Sequence, residues 1–300
     1  MVSIKAWIDA FRLRTLPLAL SSIILGSFLA AYNQQFNLTV CILAVLTTLF
    51  LQILSNLAND YGDTVNGVDN AERKGPKRAL QQGDITLSQM KMAIIIFVSL
   101  SLVTGITLLM FSGAILDKNA FIWMLILGIT AIIAALKYTM GKNPYGYAGF
   151  GDIFVFIFFG LVGVLGTFYL QTGAVSMKEL LPAASIGFFS TGVLNLNNAR
   201  DRDNDAAFGK RTLAVIMGAA HIKIYHVFLL LAGMLSAIIF SISVSASAWK
   251  WIYLLAFIPM IRNALTVFRN QDPMLLDPEL KNLALATLFF SVFFGIGLMI

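Results

Sequence analysis

Long apolar runs alternate with short polar connections along this chain. About nine runs stand out, roughly 16–32, 38–56, 91–111, 120–138, 151–170, 180–197, 223–244, 250–268 and 282–300. Several are close to the ~20 residues a helix needs to cross a hydrocarbon core. Lipid offers no partner to a free backbone N–H or C=O, so the runs are expected to be helical. The pattern predicts an all-α polytopic membrane protein, about nine transmembrane helices in a bundle. Composition agrees, with 58% hydrophobic and 12% charged residues, against about 25% charged in a soluble domain. Ahead of the first run, Ile4, Trp7, Ala10 and Phe11 recur at roughly helical spacing among Lys5, Arg12 and Arg14, which fits an interfacial helix. A cleaved signal peptide is the alternative. The run to Tyr32 is longer than such a segment needs, and no small-x-small cleavage site follows it.

Charge adds an orientation. Taken in order, the runs put the N-terminus and the connections after the second, fourth, sixth and eighth on one side. All Lys and Arg except Lys118, Lys178 and Lys250 fall there, 18 of 21. The positive-inside rule makes that side cytoplasmic and leaves the C-terminus extracytoplasmic, as expected of a bacterial plasma (inner) membrane protein. The net charge of +6 is spread along the connections, which suits a lipid bilayer and not nucleic acid. Cys41 lies alone in an apolar run and reads as core. His221 and His226 have no Cys or third His nearby, so they suggest no zinc site.

The candidate chemistry sits in two of the connections. Asn56 to Arg78 carries Asp60, Asp63, Asp69 and Glu72, then Arg73, Lys74, Lys77 and Arg78. If the helix continues past the apolar run, Asn56, Asp60 and Asp63 gather near one face. Oxygen ligands of this kind suit a hard cation such as Mg²⁺. Alone, the stretch also reads as a solvated loop of mixed charge. A second copy changes the balance. Asn195 to Thr212 places Asn197, Asp201 and Asp205 at i, i+4 and i+8, with Asp203 on the opposite face, followed by Lys210 and Arg211. Two carboxylate clusters beside bases suit a metal-bridged diphosphate. Asp60 and Asp201 are expected at exposed helix ends.

The two copies imply a parallel repeat in a single domain, 1–300. Its units are about 1–150 and 151–281, with a final helix at 282–300, around a central cavity open toward the cytoplasmic side. A third polar stretch, Lys137 to Asp152, holds Tyr138-x-x-x-Lys142, which would set a phenol and an amine one turn apart on a continuing helix. Asn143-Pro144 stops that helix. An interfacial aromatic belt with snorkelling lysines is the plainer reading. Asp152 would open the next helix, where an acid is favoured. Arg12 either reaches a diphosphate or anchors the first membrane helix.

Together, NLANDYGD with the following GPKR, NPYGYAGFGD and LNLNNARDRDNDAAFGKRT resemble the UbiA superfamily of membrane prenyltransferases. Within it they look most like the branch that prenylates 1,4-dihydroxy-2-naphthoate. Two departures are visible: Leu13 follows Arg12 where the family usually has Pro, and Asp63 stands at i+3 from Asp60 where the pattern has i+4. The resemblance implies transfer of a polyprenyl group from polyprenyl diphosphate to 1,4-dihydroxy-2-naphthoate, with loss of CO₂, to give demethylmenaquinone in its reduced, quinol form. It implies two Mg²⁺ ions held by Asn56, Asp60, Asp63, Asp201 and Asp205. Arg12, Lys77, Arg78, Tyr138, Lys142, Asn197, Lys210 and Arg211 are then candidates for binding substrate or the departing pyrophosphate. A related enzyme with another acceptor, such as 4-hydroxybenzoate, is the nearer alternative. A transporter is the more distant one, and the runs lack the mid-membrane ionisable residues it would need.

Overall fold

The computed structural model describes residues 2–69, 76–113, 115–244 and 247–300. Among these, every regular element is helical. A short α1 (Ile4–Phe11) precedes α2 (Leu16–Tyr32), α3 (Leu38–Val65), α4 (Leu87–Phe111) and α5 (Lys118–Lys137). The next helix is continuous but composite. It comprises α6 (Gly151–Val155), a π-helical stretch (Phe156–Leu165) and α7 (Gly166–Thr172). Then come α8 (Leu180–Ala207), α9 (Leu213–Ser243), α10 (Leu254–Arg269) and α11 (Leu276–Met299).

Local chemistry sets many of these ends. Asn37, Asp117 and Thr212 each accept a backbone N–H from the first turn of α3, α5 and α9. Thr86 and Gln89 form a reciprocal capping box on α4. Two helices outrun their apolar sequence. α3 continues from residue 56 to Val65, and α8 from 197 to Ala207. At 28 residues each, they are ~42 Å long and exceed a ~30 Å hydrocarbon core. Their polar final turns therefore stand at or beyond its edge.

The sequence suggests nine spans. Eight helical stretches among the described residues are long and apolar enough to cross a membrane, and α8 is not one of them. Its burial accounts for this. Ser185, Ser190, Thr191, Asn195, Asn198, Arg200, Asp201 and Asp205 are all buried. α8 packs along α9, α11 and the π-helical stretch, so its polar groups face protein and the lipid rule on composition is relaxed.

The packing forms two main assemblies. One gathers α2, the π–α7 stretch, α8, α9, α10 and α11 around Leu25, Ile186, Phe189, Tyr253 and Phe290. The other gathers α1, α3, α4 and α5 around Leu54, Leu57, Ile85 and Met90. A cavity lies between them. The first assembly depends on one close approach. A Cβ on Gly160 would lie 2.6 Å from the Gly187 Cα, so the π-helical stretch and α8 touch backbone to backbone. Gly160→Leu is expected to lower the thermal midpoint of the purified protein markedly, at an overpacking cost of about 1–3 kcal/mol. Gly166→Ala, where the nearest atom to an added Cβ is Met124 Cε at 3.9 Å, serves as the control. The check is monodispersity after a heating series.

Candidate functional site

The C-terminal ends of α3 and α8 meet, and the loops beside them tie the junction together. Asn204 donates to the Val68 carbonyl at 2.9 Å, and Arg211 N–H to the Tyr147 carbonyl at 3.0 Å. Asn66 donates to the Thr139 carbonyl at 3.1 Å. Thr139 in turn donates to the Ala58 carbonyl at 2.9 Å. This seam needs Gly62, because a Cβ there would fall 2.6 Å from the Thr139 carbonyl oxygen.

Four motif carboxylates converge at this junction. They are buried, with Asp60 only 1% exposed, and not at exposed helix ends as the sequence suggested. Each has a cationic partner. Asp60 binds the Arg12 guanidinium, and Arg78 Nε lies 3.3 Å from its Oδ1. Asp63 accepts from Lys210 Nζ at 3.1 and 3.2 Å and from the Tyr147 hydroxyl at 2.7 Å. Lys210 Nζ is also 3.9 Å from Asp205. Asp201 takes Arg200 side-on, at 2.9 Å from Nε and 2.8 Å from Nη2. Arg200 also donates to Asn197 at 3.0 Å and to Asp277 at the start of α11. Asp277 in turn accepts two bonds from Arg14, at 2.9 and 3.1 Å.

The ionisation states follow. Burial works against charge on Lys210, but Asp63 and Asp205 outweigh it and its pKa is raised. Burial, and then the Asp63 carboxylate, raise the Tyr147 hydroxyl, which remains a donor. Tyr138 is raised for the same two leading reasons. Burial and the neighbouring Arg12 lower Arg78, while Asp60, Asp69 and Asp201 pull it back.

Not every expected residue joins the cluster. Asn56 donates to the Phe11 carbonyl at 2.9 Å and to Thr15 Oγ1 at 3.0 Å, while its oxygen accepts from Gln52 at 3.3 Å. It therefore secures the α1–α2 corner, where Arg12 sits in the left-handed region at φ 51° and ψ 57°. A non-glycine residue held there stores roughly 1–3 kcal/mol of strain, the kind found at functional sites. α5 ends at Lys137, and Gly141 and Asn143 take positive φ, so Tyr138 and Lys142 are not one helical turn apart. Lys142, Lys77 and Arg211 are exposed. Asp203 pairs with Arg202 at the surface, on the opposite face as expected. Glu72, Arg73 and Lys74 lie outside the described residues. Sequence reasoning missed Arg200, Asp277 and Tyr147.

Through Arg12 and Lys210 the cluster borders the polar end of a cavity of about 370 Å³. Arg12, Asn56, Asn59, Asn197, Lys210 and Tyr138 line that end. Apolar walls from α2, α3, α4, α5, the 151–172 helix and α8 line the rest. An aromatic file runs away from the charges: Tyr138 to Tyr145 at 5.4 Å, Tyr145 to Phe154 at 3.9 Å, and Phe154 to Phe158 at 6.1 Å between ring centres. All four rings face the cavity.

As to a cation, the donors are the hard oxygens it prefers. Asp60 Oδ2 is buried without a hydrogen-bond partner. No three acid, His or Cys side chains form a ready metal cage among the described residues. The oxygens fit a divalent ion that takes its remaining coordination from a ligand.

The sequence profile of the UbiA prenyltransferase family matches residues 19–276. The chain belongs to this family. Two relatives, each a 1,4-dihydroxy-2-naphthoate octaprenyltransferase, cover nearly all of it. The Escherichia coli (strain K12) protein is 41% identical over 98% of this chain and 95% of its own length. The Haemophilus influenzae protein is 42% identical over 99% and 96%. Among solved structures, a UbiA homologue from Aeropyrum pernix K1 superposes with a TM-score of 0.67 at 17% identity, covering 100% of this chain and 98% of that one. A UbiA homologue from Archaeoglobus fulgidus, bound to GPP and Mg²⁺, gives 0.67 at 16% over 98% and 100%. These two establish the shared fold. The eight long apolar helices make this UbiA-family chain an integral membrane protein.

The Arg200–Asp277 contact joins the second Asp cluster to α11. Asp277→Asn is expected to cost about 1–3 kcal/mol, because it leaves the buried Arg200 with a weaker acceptor. A thermal unfolding series checks this, with Asp203→Asn, at the exposed pair, unchanged.

Proposed function

We propose that this protein transfers a polyprenyl group from its diphosphate to 1,4-dihydroxy-2-naphthoate. The observation that carries the reading is the meeting of two buried Asp clusters and their bases at the polar end of an apolar cavity. Near-full-length relatives at 41% and 42% identity bear the naphthoate octaprenyltransferase name, which supports the acceptor. The length of the prenyl chain is left open.

The residues suggest how the chemistry proceeds. Asp60, Asp63, Asp201 and Asp205 would hold divalent ions, taken to be two Mg²⁺, and the A. fulgidus homologue bound to GPP and Mg²⁺ supports metal use. When bound, the metal neutralises diphosphate oxygens and eases their departure. Before substrate arrives, the same carboxylates hold Arg12, Arg78, Lys210 and Arg200. On binding, these bases exchange carboxylate for phosphate oxygens. Charge grows on the leaving group as the C–O bond breaks, so fixed cations act mostly in the transition state. Tyr147 and Tyr138 remain protonated donors beside it. The isoprenoid chain follows the aromatic file toward Phe158, and the apolar walls keep water from the allylic cation. The naphthoate carbon that bears the carboxylate attacks that cation. A C–C bond forms, CO₂ leaves with its bond electrons returned to the ring, and pyrophosphate departs.

We further propose that all nine long helices span the membrane, with the N-terminus and the Asp clusters cytoplasmic. A reporter fused after Ile300 should then read as extracytoplasmic, and a cytoplasmic signal there overturns this orientation.

The activity test uses membranes with a prenyl diphosphate, carboxyl-labelled naphthoate and, in parallel, 4-hydroxybenzoate. Labelled CO₂ is expected to appear in step with pyrophosphate. Asp60→Asn and Asp201→Asn should each lower turnover by about 10²-fold or more, with Asp203→Asn near wild type. Prenylated 4-hydroxybenzoate as sole product would replace the acceptor, and full turnover in chelator would remove the metal.

A further inference from the structure

The lipid-facing side of α10 carries a feature that prenyl transfer does not use. Ile258, Ile261, Leu265 and Phe268 are 65, 49, 50 and 55% exposed, as expected of a helix in contact with acyl chains. Among them stand Arg262 and Arg269, both exposed. They are seven residues apart, so they share one face with ~10 Å between their levels. Ile258, Ile261, Arg262, Leu265, Thr266 and Arg269 together line a shallow groove. α10 gives no residue to the catalytic cavity.

Neither arginine has a hydrogen-bond or ion-pair partner among the described residues. Several nearby bases are partnered, although exposed Lys281 of α11 has no partner among the described residues. Arg200 and Lys210 are paired with carboxylates. Lys223 of α9 donates to the Asn270 carbonyl just past α10. Asp272, the nearest acid in sequence, accepts from the Met274 N–H. Arg269 ends the helix and reaches the interface easily. Arg262 lies two turns inside, and helical geometry directs its side chain toward the helix N-terminus, away from that interface. An unpaired guanidinium in this position is costly in lipid.

We propose that this face of α10 is a binding site for an anionic phospholipid. Its phosphate sits between Arg262 and Arg269, within hydrogen-bonding reach of Thr266, and an acyl chain lies along Ile258 and Ile261. The planar guanidinium matches phosphate oxygens in pairs. The positive charge of Lys223 on the neighbouring helix disfavours a choline headgroup and favours one without a cation. Basic pockets at the interfacial ends of membrane helices take anionic headgroups on the same physical grounds.

The test is lipid retention by full-length protein in detergent. The protein is exchanged into equimolar phosphatidylglycerol and phosphatidylcholine, and the bound lipid is read by native mass spectrometry. Wild type should retain phosphatidylglycerol in preference by roughly tenfold. Arg262→Gln with Arg269→Gln should abolish the preference, and each single change should weaken it. Arg262→Lys should keep part of it. Soluble glycerol phosphate should not displace the lipid, because it lacks the acyl chain. Equal retention of both lipids by wild type overturns the proposal. So does an undiminished preference in the double variant, or displacement by glycerol phosphate alone. Turnover is not part of the readout, so the result stands apart from the assigned reaction.

Discussion

Four buried carboxylates cannot be brought together without cations beside them. Removing a charge from water is costly, and like charges a few ångströms apart raise that cost further. Asp60, Asp63, Asp201 and Asp205 meet only because Arg12, Arg78, Lys210 and Arg200 meet them. These bases come from four separate segments: the α1–α2 corner, the loop after α3, the loop after α8, and α8 itself. Neutralising the acids therefore also joins the two helical assemblies. The Arg14–Asp277–Arg200 chain extends the same logic to α11.

On the proposed reading, the arrangement would also prepare the site for an anionic ligand. Bases held by carboxylates are already desolvated and positioned, so little reorganisation would remain if phosphate oxygens replaced the carboxylates. Arg12 illustrates the cost. Its left-handed backbone is held by the α1 cap, by Asn56 on the adjoining carbonyl and by the ion pair with Asp60. The strain stays because several contacts over-determine it.

Much of this was legible in the sequence, for physical reasons. The helices were readable because lipid imposes length and composition on them. The four aspartates were readable because i+3 and i+4 spacings put side chains near one face. What was hidden depends on tertiary contact or on where a helix stops. Asp277 is remote in sequence from everything it binds. Arg200 adjoins Asp201 and should point elsewhere by helical periodicity, yet its long side chain folds back to take both carboxylate oxygens. Asn56 has ligand spacing but serves the α1–α2 corner. Tyr138 and Lys142 have one-turn spacing, but the chain leaves the helix between them. Spacing identifies candidates only where the secondary structure continues.

The composition of α8 has a consequence for biogenesis. A segment with so many buried polar groups gains little by entering lipid alone. It becomes favourable only when α9, α11 and the π-helical stretch are present to enclose it. Its stable insertion is therefore coupled to helices made after it, and the second Asp cluster is completed late. Until α11 arrives, Arg200 lacks Asp277 and the second Asp cluster is held from one side only. A chain halted before Leu276 would keep both aspartate motifs and still lack the Arg200–Asp277 and Arg14–Asp277 contacts. The last helix thus completes the polar cluster through Asp277, although it gives the cavity only Leu280.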